Sequence, residues 1–520
     1  MDRRSFLSLS SIALLGLEAE RRASLSLPAP TLVAAAAATA VRHVTPSGGG
    51  ARDGSTLDDA GTLSDLPAFV GTVGPGGEIW VHGRFGSYDV QAPVTISSGG
   101  EPGNPVVIRG VDQDGGSGVR ATLVGNRSYP WKLNLPEGSD AFVLTTGADH
   151  LQFRSLDFAN LRFVFRVIAP VRELVIEDDR ADRMGRLLNA AATVSGLTVR
   201  NVQGFGYIKM FYLGADTNAV LFEDVLGDAQ GQTSGFPTGV QLDGTTHDVM
   251  LRRVTMRNHR SNKTKNTAYW SGDGFSAEEQ TYDLLYEDTT ATGNTDSGYD
   301  IKARSARLVR ATAADNKQNY RCRYRGVTLV DSVSENPVRR GGTGIQVHVR
   351  AGIAPNAAPA DIVPVVLQSC RITDTGPVSG SSIVFRAENG AVLNVEGGSV
   401  QYSTGGVLSS ETNGGEVNLN GVDITAPSPD TTAPSPPTNL TARSQSTSIV
   451  LSWTASTDDV AVAGYTVYRD GAKVRTVSNG RTTFENKGLA PGTSYEYAVE
   501  AFDSAGNISE RSAPLTVQTT

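Results

Sequence analysis

Three aspartates and a set of cations crowd one short part of this chain. Residues 272–302 read GDGFSAEEQTYDLLYEDTTATGNTDSGYDIK. The segment holds one pattern twice, an Asp-rich turn followed by Gly and an aromatic. The first copy is Asp273-Gly274-Phe275, and the second is Asn294-Thr295-Asp296-Ser297-Gly298-Tyr299-Asp300. If the copies stack as neighbours, Asp273, Asp296 and Asp300 converge beside the Ser297 hydroxyl. A cluster of such oxygens is what a hard cation such as calcium takes. Basic residues follow at Lys302, Arg321, Arg323 and Arg325. Acids that hold a cation, with bases beside them, suit proton abstraction next to a carboxylate. A proton on the carbon next to a carboxylate becomes acidic once that carboxylate is neutralised by a metal or an Arg fork. Each acid taken singly has a plainer role, as a turn residue bonded to nearby backbone or as one half of a cross-strand ion pair. Three at matching positions, with bases on the next coil, favour a site.

Short apolar strands position these residues. HLQFRSLDF at 150, ELVIEDDRA at 173, GLTVRNVQG at 196 and AVLFEDVLG at 219 place Phe153, Ile176, Val199 and Phe222 each 23 residues apart. The ladder is expected to continue at Leu251, Tyr286, Val309, Val330 and Leu367. Segments with 3.6 periodicity long enough for a helical solenoid are absent. An ordinary β-sandwich has no reason for this repeat. The expected fold is therefore all-β, a right-handed parallel β-helix in which each coil covers the next.

A second strand column runs TGVQLDG at 238, DGFSAE at 273, GYDIKA at 298, YRCRYR at 320 and TGIQVHVR at 343. Alternation puts Val240, Leu242, Phe275, Ala277, Tyr299, Ile301, Tyr320, Cys322, Ile345 and Val347 inward. Gln241, Asp243, Ser276, Glu278, Asp300, Lys302, Arg321, Arg323, Gln346 and His348 then face outward. Neighbouring strands lie ~4.8 Å apart, so successive rungs reach along one sugar chain.

The chain has 520 residues, 57 of them Gly, a charged fraction of 19% and a net charge of -8. That length exceeds one ordinary core, so more than one domain is expected. The acidic balance argues against nucleic acid as a partner. Cys322 and Cys370 are too few for a disulfide framework and fit either buried thiols or a single bridge. MDRRSFLSLSSIALLGL opens the chain with Arg3-Arg4, then Phe6-Leu7 and a weak apolar run, the pattern of a twin-arginine export signal. Residues 1–40 are accordingly set aside as a signal peptide, and the mature protein is expected outside a bacterial cell. The apolar run is too short to span a membrane. A β-helix domain over 41–423 is followed by a Pro/Ser/Thr linker at 424–434, and 435–520 form a last domain. In that domain LSWTAS at 451, AGYTVYRDG at 463 and LAPGTSYEYAVEAFDSAGN at 489 resemble a fibronectin type III module. The resemblance makes Trp453 its core tryptophan and Tyr495 the corner tyrosine whose hydroxyl ties back to the backbone.

The opening coils, VTPSGGGARDGST at 44, GGEIWVHGRFGSYDV at 76 and GEPGNPVVIRG at 100, resemble those of secreted polysaccharide-acting β-helix proteins. Over residues 260–325 the chain resembles polysaccharide lyase family nine, the pectate-lyase-like enzymes. That family binds calcium through an Asp on one coil and an Asn-Ser-Asp-Asp-Gly-aromatic-Asp segment on the next. The resemblance implies calcium on Asp273, Asp296 and Asp300, with Ser297 standing where the family has another Asp. It implies a base at Arg321, where the family has Lys. Arg is a difficult base because it holds its proton strongly. Lys302 is the easier base by chemistry, so both remain candidates. Arg323, Arg325, Asp243, His348 and Trp270 form the expected substrate-binding set. His348 and His259 are lone histidines for which ordinary hydrogen bonding is the plainer role. Tyr269-Trp270 is equally compatible with sugar stacking and with packing its own insertion.

The function implied is a secreted lyase that cleaves an acidic glycan such as pectate by calcium-assisted β-elimination, acting as a monomer. A β-helix hydrolase of polygalacturonate is the second reading, since Asn294-Thr295-Asp296 resembles that family's first acid motif. The Asp-Asp, Gly-His-Gly and Arg-Ile-Lys motifs of that family are missing from later coils. A non-catalytic glycan-binding β-helix with structural calcium is the third.

Overall fold

A computed structural model describes residues 40–520, apart from 113–114, 117–118, 128–137, 232–235, 262–270, 324–325, 339–342, 351–362, 375–381, 404–405, 426–429, 460–461, 479–480 and 504. The export signal, Tyr269, Trp270 and Arg325 lie outside the described residues.

The chain from Val41 to Thr425 winds as a parallel β-helix, in the right-handed sense that parallel crossovers take in nearly all proteins. Each coil contributes strands to three columns. Val194–Arg200, Gln203–Tyr207 and Lys209–Leu213 make up one coil. The third column is a 12-stranded parallel sheet running from Val94–Ile96 to Val407–Thr412. The other two columns join into one 25-stranded set, because Asn218–Asp228 and His247–Arg257 run unbroken through the corner between them. The helix Leu66–Val73 lays Leu66, Phe69, Val70 and Val73 over the first coils and covers their apolar end.

Corners explain the repeat. One residue in the left-handed region turns the chain between the first and second columns of successive coils: Ser155, Asp178, Asn201, Asp224, Arg253, Asp288, Arg310 and Asp331, all with φ of 49–57°. Asp and Asn tolerate that conformation better than other L-residues do. Their N–H groups then bond to the next coil, as in Asp178 N–H to Arg200 O at 3.0 Å and Asn201 N–H to Glu223 O at 3.0 Å.

The core ladder holds from Phe153 through Ile176, Val199, Phe222, Leu251 and Tyr286. Beyond Tyr286 it differs from the expectation by one residue. Tyr286 pairs with Leu308 and then Leu329, which are buried, whereas Val309 and Val330 pair with Glu287 and Gln368 on the half-exposed side. The coil after Tyr286 is one residue shorter than the repeat, and a one-residue slip moves a strand's side chains to the opposite face. In the third column, the strand after Tyr320 is offset by two residues from the expected pairing. Val347 pairs with Tyr320 and Val349 with Cys322, while Ile345 lies beside Gln318. Gln346, expected outward, is fully buried at a corner, where Asn319 Nδ2 donates to its Oε1 at 2.9 Å.

That corner contains a chain of polar side chains inside the solenoid. The Tyr207 hydroxyl lies 2.9 Å from His259 Nε2, and His259 Nδ1 donates to Asn294 Oδ1 at 2.7 Å. Asn294 donates to Asn316 Oδ1 at 2.8 Å, Asn316 to Asn319 Oδ1 at 3.1 Å, and Gln346 Nε2 to Thr373 O at 3.1 Å. Buried amides must be satisfied, and each coil here satisfies the next. The Asp-Gly-aromatic motif follows from this corner. A Cβ on Gly274 would come within 2.7 Å of Gly298 O, and one on Gly298 within 2.7 Å of Asn316 Nδ2. The aromatics that follow stack through the core, Phe275 on Tyr299 at 4.9 Å and Tyr299 on Tyr320 at 5.1 Å. Cys322 and Cys370 are free and buried, so of the two sequence alternatives they are thiols.

Burial pulls the His259 pKa down to about 4 from an ordinary 6.5. The neutral ring is the form the fold favours, so its contribution is full above pH ~6.5 and is lost as pH falls through 6.5 towards 4. Urea unfolding at pH 7 and pH 4.5 should show a pH-dependent loss roughly 2–3 kcal/mol smaller in His259→Gln than in wild type. Equal losses would mean that this ring is not the titrating group.

Candidate functional site

The outer face of the 12-stranded sheet carries one continuous row of side chains in register. In chain order it runs Arg166, Asn189, Tyr212, Gln241, Ser276, Asp300, Arg321, His348 and Arg386. Asp300 and Arg321 are therefore direct neighbours on adjacent strands. On one side of this row lie Asp273, Ser297 and Gln318, and on the other Glu278, Lys302 and Arg323. The stacked Phe275, Tyr299 and Tyr320 rings lie directly beneath. Tyr320 is anchored through its hydroxyl, which donates to Ala311 O at 2.7 Å.

The acids occupy a desolvated patch. Asp296 and Asp300 are buried, and Asp273 is half-buried. Asp273 Oδ1 accepts from the Ser297 backbone N–H at 2.8 Å, which fastens the two copies of the motif together. Burial, then the charges of Asp296 and Asp300, push the Asp273 carboxyl well above the usual carboxylate range. Asp296 Oδ1 accepts from Gln318 Nε2 at 3.2 Å. Asp300 Oδ1 and Ser297 Oγ are buried and make no hydrogen bond. These oxygens are of the type calcium takes, but among the described residues Asp273, Asp296 and Asp300 do not bring one carboxylate oxygen each within 4.8 Å of the others. Elsewhere, Asp430, Asp458 and Asp459 bring three carboxylate oxygens within 4.8 Å of one another beside the C-terminal module.

The cations are held differently from one another. Lys302 Nζ lies 2.8 Å from Glu278 Oε1 and 2.9 Å from Asp300 Oδ2. Burial works to lower its pKa, but Asp300 and Glu278 outweigh burial and the net shift is upward. Lys302 is thus braced as a cation. Arg321 faces both acids at longer range, 3.7 Å from Asp296 Oδ2 and 3.9 Å from Asp300 Oδ1. Arg323 is buried, and its Nε and Nη1 make no hydrogen bond. His348 Nδ1 donates to Gln318 Oε1 at 2.7 Å, so a relay runs from His348 through Gln318 to Asp296. His348 Nε2 lies 3.3 Å from Glu388 Oε2. Burial lowers the His348 pKa despite Glu388, and Arg321 and Arg386 add to the lowering. Pairing with His348 drops Glu388 to about 2.

Asp243 lies apart from the acids, with one oxygen accepting from the Gly244 N–H at 2.8 Å and the other from the Tyr212 hydroxyl at 3.2 Å. Gln318, Glu388 and Lys209 join the face without having been singled out from sequence. Gln318 and Glu388 gain a role only through partners on other coils. Lys209 could have been found by extending that strand column one strand upstream of Thr238.

The C-terminal segment forms two antiparallel sheets of its own, of three and four strands. Trp453 is buried in their core with its ring edge against Tyr465 at 5.4 Å. The Ala490 N–H donates to the Tyr495 hydroxyl at 3.1 Å, the corner tie expected from the sequence. The family model for the fibronectin type III domain matches residues 435–518. This segment is a fibronectin type III domain.

Curated relatives match over the fibronectin type III region. Exoglucanase B of Cellulomonas fimi is 54% identical over 74 residues, 14% of this chain and 7% of that protein. Chitinase A1 of Niallia circulans is 51% identical over 83 residues, 16% of this chain and 12% of that protein. The chain thus spans only a small part of these relatives. Among solved structures, a pectate lyase, Pel9A, is similar at 15% identity and TM-score 0.42, covering 64% of this chain and 77% of that one. Chitinase ChiA74 from Bacillus thuringiensis is similar at 36% identity and TM-score 0.16, covering 17% and 14%.

If Asp273, Asp296, Asp300 and Ser297 hold calcium, adding it to chelator-stripped protein at neutral pH should raise the thermal midpoint by roughly 2–8 °C. Asp300→Asn should abolish the rise. A rise that survives in Asp300→Asn would assign the cation elsewhere, with the acids at Asp430 the next place to look.

Proposed function

We propose that this chain is a secreted polysaccharide lyase that cleaves a uronate-containing glycan such as pectate by calcium-assisted β-elimination. One observation carries the reading: the register pairing of Asp300 with Arg321, which sets a basic side chain on the coil next to the buried carboxylates of Asp296 and Asp300. Secretion rests on the twin-arginine pattern at Arg3-Arg4. Among the described residues no helix is long and apolar enough to cross a membrane.

In this reading Asp273, Asp296, Asp300 and Ser297 hold calcium, which supplies neutralisation of the substrate carboxylate and so acidifies the C5 proton. Arg323 has unbonded guanidinium nitrogens on the same face and grips a carboxylate of the substrate. Arg321 is the group best placed to take the C5 proton. Its contacts with Asp296 and Asp300, at 3.7 and 3.9 Å, are longer than those of Lys302, whose two carboxylate partners hold it protonated. The electron pair left at C5 forms the C4–C5 double bond, the C4–O bond breaks, and the leaving oxygen takes a proton. Lys302 keeps Asp300 and Glu278 in place. The Gln318 relay steadies Asp296.

Incubation with pectate, polygalacturonate and alginate, with calcium or with chelator, separates the readings. A lyase produces ultraviolet absorbance from the conjugated double bond together with new reducing ends. A hydrolase produces reducing ends alone, and a binding protein produces neither. Arg321→Ala should lower the rate by roughly 10²–10⁴-fold, the usual worth of a general base. Lys302→Gln should cost less. Full activity in both Arg321→Ala and Asp300→Asn would exclude this site.

A further inference from the structure

The outer face upstream of the acids carries two cations that no carboxylate among the described residues contacts, although Asp273, Asp243 and Glu278 act on Lys209 from further away. Arg186 and Lys209 begin the strands Arg186–Ala190 and Lys209–Leu213, which pair so that the two cations sit side by side on adjacent coils. The same line continues to Thr238 and then Asp273. Both side chains are half-buried. Among the described residues neither has a carboxylate within 4.0 Å. Arg186 donates to Asn189 Oδ1 and Lys209 to Gln241 Oε1, both neutral acceptors. Arg162, by contrast, is paired with Asp140 through two bonds of 2.6 Å. Two partly desolvated cations side by side repel each other. Burial and Arg186 together lower the Lys209 pKa to about 8, and burial lowers that of Arg186. Nothing within the fold requires this arrangement, and an anion bound there would relieve it.

Two rings add a shape. The Arg186 guanidinium lies 5.7 Å from the centre of Phe163 and 4.9 Å from that of Tyr212. Rings on both neighbouring coils keep its plane in place, which prepares it for a planar carboxylate. Phe163 and Tyr212 are themselves half-exposed on the outer face and offer apolar surface to a sugar ring.

We propose that Phe163, Arg186, Lys209 and Tyr212 form a subsite for a second carboxylate of an acidic glycan, two to three coils upstream of the acids. This rests on the uronate-polymer reading given above. Coils repeat at ~4.8 Å, so the subsite lies roughly 10–14 Å from Asp273 along the axis. A polymer lying along the face bridges both places, and a very short oligomer does not. The subsite therefore selects for chain length.

Affinity electrophoresis of the full chain through gels holding polygalacturonate or alginate tests this without relying on turnover. Wild type should be retarded by at least one of the two. Arg186→Gln combined with Lys209→Met should bind that polymer at least tenfold more weakly, with an unchanged thermal midpoint. Arg172→Gln, which removes an exposed cation from a different column, should behave as wild type. If the double variant does not fold, Lys209→Gln alone carries the test, with weakening of about threefold expected. Retardation of the variant equal to wild type overturns the subsite and leaves the lyase reading standing. Absence of retardation of wild type by both polymers overturns the two together.

Discussion

Parallel stacking makes every coil of this chain meet the same corners in the same conformation, and the rest of the molecule depends on that constraint. At one corner, left-handed Asp, Asn and Ser residues pass their N–H groups to the next coil. At another, the polar series from Tyr207 through His259, Asn294, Asn316 and Asn319 to Gln346 satisfies itself inside the solenoid. Such a series tolerates no slip, because an amide moved by one residue would be buried without a partner. The candidate site grows out of the second of these corners. Asn294 belongs to the interior series, while Asp296 and Ser297, two and three residues later, belong to the outer face. Gly274 and Gly298 exist so that the backbone can pass close to the amides. The acids are thus fixed by hydrogen bonds on the other side of the sheet.

Charge is distributed along the outer face in zones. Half-buried cations come first, at Arg186 and Lys209. The group of acids follows, and Arg321, Arg323, His348 and Arg386 lie beyond it. Burying like charges together is costly, and each zone shows that cost in a shifted titration. Asp273 is pushed up by its acidic neighbours and Lys209 is pulled down by a basic one. A fold under no functional demand would mix the signs more finely, as the first column does, where Arg200 sits between Glu177 and Glu223. That column shows what ordinary cross-strand pairing looks like in this protein, and the site face departs from it. Ion pairs occur on that face too: Lys302 is braced by two carboxylates, and Glu388 pairs with Arg386 and His348.

Much of the architecture was legible before any coordinates. The interval of 23 between Phe153, Ile176, Val199 and Phe222 corresponds to true neighbours, because those coils carry no insertion and hydrophobic burial leaves little freedom in register. Trp453 and Tyr495 likewise announced the fibronectin type III domain. The ladder held across the longer coils that reach Leu251 and Tyr286, and it failed only after Tyr286. A single missing residue after Tyr286 moved the core from Val309 to Leu308, and apolar type alone cannot tell two adjacent β-formers apart. Gln346 failed for a different reason. Alternation assigns polar residues outward, whereas a corner with unsatisfied amides draws one in.

By itself the sequence determined most of the side chains on the outer face of the third column, Gln346 excepted, because a two-residue period follows from backbone geometry alone. It also determined that Asp273, Asp296 and Asp300 belong to successive coils. Only the tertiary structure decided what each charge does. Asp300 is bonded to Lys302 while its other oxygen is left without a hydrogen bond, and Asp296 is steadied by Gln318 and through it by His348 from a coil further on. Among the described residues Arg186 and Lys209 have no carboxylate within 4.0 Å, although acidic residues are numerous in the chain. These outcomes depend on which residues lie one rung away, 21 to 35 positions along the chain. Electrostatic energy is set by distance and solvent exposure, and neither is written in composition or spacing.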